Sequence, residues 1–193
     1  DEYAAALGDA TVEVCEGLAL DHHFRAKATG GVCNAKPLQK ELRKLRRDLP
    51  EPHPDGASFA RFDEARLDLC RCAVTGPVGT PYAHGLFVFD VFFPPTYPSV
   101  SPLVHLVTTG RGTVRFNPNL YADGKVCLSL LGTWHAGDQS QKWSPDTSTL
   151  KQVLLSIQTQ ILVAEPYFNE PGREGHRGTP EGDATSERVN GDL

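Results

Sequence analysis

Apolar positions along the chain first keep a helical period and then change to another. Leu38, Leu42, Leu45 and Leu49 fall on one helical stripe, which predicts a helix over residues 36–49. Pro50, Pro52 and Pro54 end it. From Phe59 the pattern becomes that of strands. Residues 66–74 (RLDLCRCAV), 86–93 (LFVFDVFF) and 103–108 read as strands, the second apolar on both faces except at Asp90 and stopped by Pro94-Pro95. Their short connections predict an antiparallel meander. Helical spacing returns at Leu150, Val153, Leu154, Ile157, Ile161 and Leu162, with Thr147 or Ser148 as the candidate cap and Glu165-Pro166 as the end.

The two ends of the chain carry weaker patterns. Ala4 to Leu7 are good helix formers but Gly8 follows at once, so one turn is expected at most. Val12, Val14, Leu18 and Leu20 alternate loosely, enough for one added strand. His22 and His23 are adjacent, which is poor metal-ligand spacing, and they read as surface histidines. Residues 173–193 are rich in Gly, Glu and Arg with almost no apolar positions, the pattern of a flexible tail. The expected organisation is an N-terminal extension (1–35), one core domain (36–172) and that tail.

Composition narrows the class. At 193 residues and 39% apolar, the chain can bury one full core. No apolar run reaches membrane length and none resembles a secretory signal, so no membrane partner is expected. A net charge of −5 gives no footprint for nucleic acid. Five cysteines at irregular spacings do not describe a disulfide framework, which favours a reducing compartment, cytoplasmic or nuclear. Cys70 and Cys72 share one strand face, half of a metal site by spacing. No partner pair follows at zinc spacing, so they read as core residues and no metal is expected. The chain contains no Met and begins with Asp, as expected of a fragment of a longer polypeptide.

The candidate chemistry lies at Phe116–Leu131, FNPNLYADGKVCLSLL. Asn117-Pro118-Asn119 forms a rigid turn whose side-chain amides can bond nearby backbone, and Asp123-Gly124 is a second turn signal. Val126, Leu128, Leu130 and Leu131 anchor the far side to a core. A thiol, Cys127, sits at the join, a placement suited to a nucleophile or acyl carrier. The run Asn117-Pro118-Asn119, Gly124, Val126, Cys127 resembles the active-site pattern of the ubiquitin-conjugating (UBC) domain, with Asn117 where the family usually has His. Thr75–Phe87, Phe93–Val104, Trp143-Ser144-Pro145 and the Glu165-Pro166 helix ending also resemble it, so the likeness covers about residues 36–172. Within the family, the long insert after Cys127, LLGTWH and ILVAEPYFNEPG resemble the very large inhibitor-of-apoptosis-type conjugating enzymes.

That resemblance implies an α+β UBC fold: a four-stranded antiparallel meander flanked by an N-terminal and a central helix, with the family's C-terminal helices missing or truncated. It implies an acyltransferase without cofactor. Cys127 would accept ubiquitin from the activating enzyme as a thioester and pass it to a lysine of a substrate protein, with a ligase as partner or ligase function in the same longer chain. Asn119 would stabilise the oxyanion or hold the loop. Asn117 and Pro118 would brace the loop, and Glu170, counted from Glu165-Pro166, takes the place of the acidic residue that orients the incoming lysine. Lys36, Lys40, Arg43, Lys44 and Arg47 read by default as a solvated helix face; in the family a basic first helix docks the activating enzyme. Two rivals stand beside this reading. One is a cysteine hydrolase using His105 or His135 as base, which would commonly place its thiol at a helix N-terminus. The other is a non-catalytic ubiquitin-binding variant, of a kind that typically loses the cysteine.

Overall fold

The computed structural model describes residues 2–7, 10–27, 35–134 and 141–193. Its centre is a sheet of five strands in chain order: β1 (Val12–Cys15), β2 (Ser58–Asp63), β3 (Leu69–Thr75), β4 (Leu86–Phe92) and β5 (Leu103–Leu106). The β2–β5 part is the expected antiparallel meander, with Cys70 opposite Val91, Cys72 opposite Phe89 and Val74 opposite Phe87. Those pairs alternate onto the inner face and are buried. The four-stranded expectation is corrected by β1, which pairs in parallel with β2, Val12 opposite Ala60, and makes the sheet mixed. Only Val12 of this short edge strand is buried, so its alternation was too weak to be decisive in the sequence.

Helices cover the inner face. Between α1 (Glu2–Leu7) and the sheet helices lies β1; α2 (Ala35–Asp48) then buries Leu38, Leu42 and Leu45, the stripe read from the sequence. The next helix, α3 (Leu150–Ser156), buries Leu150, Val153 and Leu154. Its cap is Thr149 rather than Thr147 or Ser148. Thr149 accepts from Gln152 N while the Gln152 side chain accepts from Thr149 N, a reciprocal box that satisfies two orphan donors. Glu41 is the polar exception in the α2 interface. It is buried, and its carboxylate accepts from Tyr97 Oη at 2.8 Å and from Leu150 N at 2.7 Å, so it ties α2 to the first turn of α3.

The outer face is partly covered by the segment after β1. Phe24 packs with Leu69 and Phe92 in a small second cluster. His22 is buried, against the expectation of a surface residue, with Nε2 3.1 Å from Cys70 O; His23 is exposed as expected. Asp90, the one polar residue in β4, is explained by the same packing. It accepts a two-pronged bond from Arg71 at 2.7 and 3.1 Å and another from His23 N at 2.7 Å. Cys70 and Cys72 lie in the core with sulfurs 3.6 Å apart.

Two features set up the functional region. After Ser156 the helix widens into a π-helix (Ile157–Ile161), with Leu162 N bonding back to Ile157 O, and the carbonyls of Gln160 and Ile161 accept side-chain amides instead. Beyond Glu165, two short 3₁₀ turns (Pro166–Asn169 and Glu174–His176) lead to α4 (Pro180–Asp192). The expectation of a flexible tail is therefore corrected, while of the C-terminal helices expected to be missing or truncated one is present: α4 is capped by Thr179, opens on Pro180 and carries Glu181 and Asp183 in its first turn. It buries only Gly182 and Ser186, so no apolar stripe announced it.

Candidate active site

Residues 117–127 fold back on themselves. Cys127 N donates to Asn119 O at 2.9 Å, Tyr121 N to Lys125 O at 3.0 Å and Gly124 N to Tyr121 O at 3.0 Å. Gly124 has φ +87° and a β-carbon there would run into the His105 ring, so only glycine fits this turn. Leu120, Val126 and Leu128 enter the core and fix the loop from below. Thr133 fixes the far side, its hydroxyl accepting from Leu128 N at 3.0 Å and donating to Val126 O at 2.7 Å.

Asn117 is 3% exposed and uses its whole amide. Nδ2 donates to Ile161 O at 2.8 Å and to Tyr82 Oη at 3.1 Å, while Oδ1 accepts from Asn119 N at 2.8 Å and faces Asn169 Nδ2 at 3.5 Å. The Tyr82 hydroxyl donates to Phe116 O at 2.8 Å, and burial raises its pKa to about 12. One asparagine thus joins the turn, the π-helix and the hairpin before β4. Pro118 lies in the same turn, its carbonyl accepting from Arg115 Nη2 at 2.9 Å.

Cys127 is 2% exposed, less open than a thiol presented at a loop edge. It lines a cleft of about 300 Å³ together with Asn119, Trp134, Gln160, Asn169 and Glu174. Burial pushes its pKa up, while Lys125, the Tyr121 hydroxyl and Arg115 pull it back. Asn119 Nδ2 donates to Cys127 O at 3.0 Å, and its buried Oδ1 has no hydrogen-bond partner among the described residues. Such an orphan acceptor is costly in a settled loop.

The other anticipated residues divide. Glu170 lies in a neighbouring cavity of about 300 Å³ beside Arg115 and Tyr167 and is not among the residues lining the Cys127 cleft. Its Oε2 is 3.6 Å from Arg115 Nη2, and Arg115 also lies 4.4 Å over the Tyr121 ring. Lys36, Lys40, Arg43 and Arg47 are exposed along α2, Lys44 is half-buried, and Arg47 forks onto Asp48 at 2.6 and 2.9 Å. His105 stacks on His23, centroids 3.5 Å apart, and burial lowers its pKa. Among the described residues no histidine lines the cleft, which removes the geometric basis for a Cys–His pair with His105; His135 lies outside the described residues. The sequence reading missed Arg115, Asn169 and Glu174. Their sole signal was proximity to the Asn-Pro-Asn turn or to Glu165-Pro166.

The charges around the thiol give a direct expectation. A thiol raised by burial should be alkylated by iodoacetamide at a rate that keeps climbing as pH passes the ordinary thiol range, because only the thiolate reacts. Lys125→Gln removes the charge that lowers it most. It should slow alkylation a few-fold at neutral pH and leave the high-pH plateau unchanged; a variant with the wild-type pH profile would remove Lys125 from the thiol's electrostatics.

Comparison with known proteins agrees with this geometry. The family model described as ubiquitin-conjugating enzyme matches residues 37–178. The chain is 50% identical over 182 residues to the human dual E2 ubiquitin-conjugating enzyme/E3 ubiquitin-protein ligase BIRC6, which covers 92% of this chain and 4% of that very long protein. It is 52% identical over 170 residues to the probable ubiquitin-conjugating enzyme E2 25 of Arabidopsis thaliana, covering 86% of this chain and 26% of the relative. Among solved structures, the E2 domain of a Toxoplasma gondii ubiquitin-conjugating enzyme matches with a TM-score of 0.54 and 26% identity, over 82% of this chain and 97% of that one. The α+β architecture is thus the UBC fold, with a five-stranded mixed sheet. By fold and by sequence over most of its length, the chain belongs to the ubiquitin-conjugating enzyme family.

Proposed function

We propose that this chain accepts ubiquitin from the activating enzyme as a thioester on Cys127 and transfers it to a lysine of a substrate protein. The observation that carries the reading is Cys127 itself, lining a cleft at the end of a loop whose turn resembles the family pattern at every position but Asn117 and is tied down by Asn117. The thiolate attacks the carbonyl carbon of ubiquitin activated at its C-terminus and later leaves as the lysine amine attacks. Asn119, next to Cys127, gives one Nδ2 proton to Cys127 O and donates the other to the tetrahedral oxyanion. Asn117 and Pro118 hold the turn, and Glu170 orients the incoming amine from beside the cleft. Residues 36–172 form the catalytic core, working in a reducing cytoplasmic or nuclear compartment, with a ligase as partner or ligase activity in a longer chain.

The test is incubation with ubiquitin, activating enzyme and ATP. A conjugating enzyme gives a reductant-sensitive adduct; a hydrolase or binding variant gives none. The exposed bases of α2 are the proposed dock for the activating enzyme. Lys40→Glu with Arg43→Glu should therefore slow charging about tenfold or more, since opposing charge lowers encounter rates. Discharge of enzyme already charged should stay as in wild type, and a double variant that charges normally places the dock elsewhere.

A further inference from the structure

We propose that Glu174 is a second carboxylate of the transfer reaction, the one that receives the proton of the attacking lysine. This rests on the thioester reading above. Two acidic residues lie between Glu165-Pro166 and α4, and the fold treats them differently. Glu170 shares its charge with Arg115 in the neighbouring cavity. Glu174 lines the cleft that holds Cys127 and Asn119.

The element that carries Glu174 is held on both sides. Arg173 lies 4.6 Å over the Tyr167 ring, and Arg177 lies 4.9 Å over Phe168 and 3.4 Å from Glu165. On the other side α4 abuts the turn so closely that a β-carbon at Gly182 would run into His176 O. Gly172, at φ +85°, lets the chain reverse, and its N–H donates to Glu174 Oε2 at 2.8 Å. That bond orients the carboxylate and leaves Oε1 without a hydrogen bond among the described residues.

A lysine reaches the cleft mostly as ammonium at neutral pH and must shed protons to react. In the transfer, the amine nitrogen forms a bond to the thioester carbonyl carbon and the carbon–sulfur bond breaks. The electron pair of that bond returns to the Cys127 sulfur as thiolate. The ammonium proton passes first to Glu174 and from it to water, and the second proton, lost as the amide forms, goes directly to water. No other reactant is required. General-base assistance of this kind is typically worth about 10²–10⁴ in rate.

The test is single-turnover discharge of pre-charged enzyme to free lysine and, separately, to hydroxylamine, a nucleophile already neutral at pH 7. Glu174→Gln preserves size and can still accept from Gly172. It should lose at least about tenfold toward lysine at pH 7. The deficit should narrow as pH approaches the pKa of lysine, with hydroxylamine discharge within about twofold of wild type. Glu174→Asp should recover part of the lysine rate. Discharge to lysine at the wild-type rate in Glu174→Gln overturns the proposal, and so does an equal loss toward both nucleophiles, which would mean the cleft had changed shape. If wild-type protein forms no thioester at all, the conjugating reading itself fails; if it charges and discharges normally but Glu174→Gln is indistinguishable from it, only the role of Glu174 fails.

Discussion

Cys127→Ala is expected to abolish the ubiquitin adduct completely, and Cys127→Ser to form one that survives reductant. The alanine variant lacks the atom that bonds the ubiquitin carbonyl. The serine variant replaces the thioester by an oxyester, which thiols do not cleave. No other described cysteine is placed to substitute. Cys70 and Cys72 are fully buried under the sheet, and burial drives the Cys70 thiol well above its ordinary range. Cys15 is partly exposed on the edge strand, but burial and Asp63 raise its pKa, and it is far from the family-matched loop in sequence. Alanine at Cys15 should leave charging intact, as should alanine at Cys33, which lies outside the described residues. Alanine at Cys70 or Cys72 should leave charging intact with some loss of stability, since each deletes a buried sulfur from the core. A nonreducing gel of the charged proteins decides it; an adduct of undiminished intensity in Cys127→Ala sinks the assignment.

Asn119→Ala is expected to charge and then to discharge slowly. Charging depends on the thiol and the dock for the activating enzyme. Discharge passes through an oxyanion next to Cys127, where the amide of Asn119 already sits, one N–H on Cys127 O at 3.0 Å. Removing an oxyanion donor costs about 10²–10³ in rate, or about 3–4 kcal/mol. If the amide only holds the loop, its contribution is that one bond to Cys127 O, about 0.5–1.5 kcal/mol, and the rate loss is correspondingly small. Asn119→Asp and Asn117→Ala tell the two apart. A bracing role predicts comparable damage in all three variants, because Asn117 holds the same turn through Ile161 O and Asn119 N. An oxyanion role predicts the largest loss in the variants that remove the Asn119 donor. Single-turnover discharge to lysine, at matched melting temperature, supplies the rates. Equal rates for wild type and Asn119→Ala remove Asn119 from the mechanism.

Much of this architecture was legible in the sequence, and the misses share a physical cause. The helix expected over 36–49 spans Ala35–Asp48 because it buries a periodic apolar stripe, and the strand expected over 86–93 spans Leu86–Phe92 because it is a short run apolar on both faces. The Asn-Pro-Asn turn and Cys127 stood out through local turn chemistry. By contrast, β1, read only as a loose alternation that could add a strand, buries one side chain, and α4 buries a glycine and a serine and leaves no hydrophobic period. His22 looked like a surface residue because the groups that bury it, Cys70 O and Asp90, lie on strands far along the chain. The same distance hid half of the site. Asn117 faces Asn169 across 52 residues, and the π-helix carbonyl it bonds is 44 residues away. Local pattern locates the candidate nucleophile; only the fold says which carboxylate shares its cleft.

A ubiquitin thioester on Cys127 is a covalent adduct, so intact-protein mass spectrometry after charging, before and after addition of free lysine, tests it most directly. One ubiquitin per chain is expected, joined through Cys127, lost to reductant, and transferred to lysine with the enzyme returned to its starting mass. A wild-type chain that gains no ubiquitin, or an adduct that persists in Cys127→Ala, contradicts it.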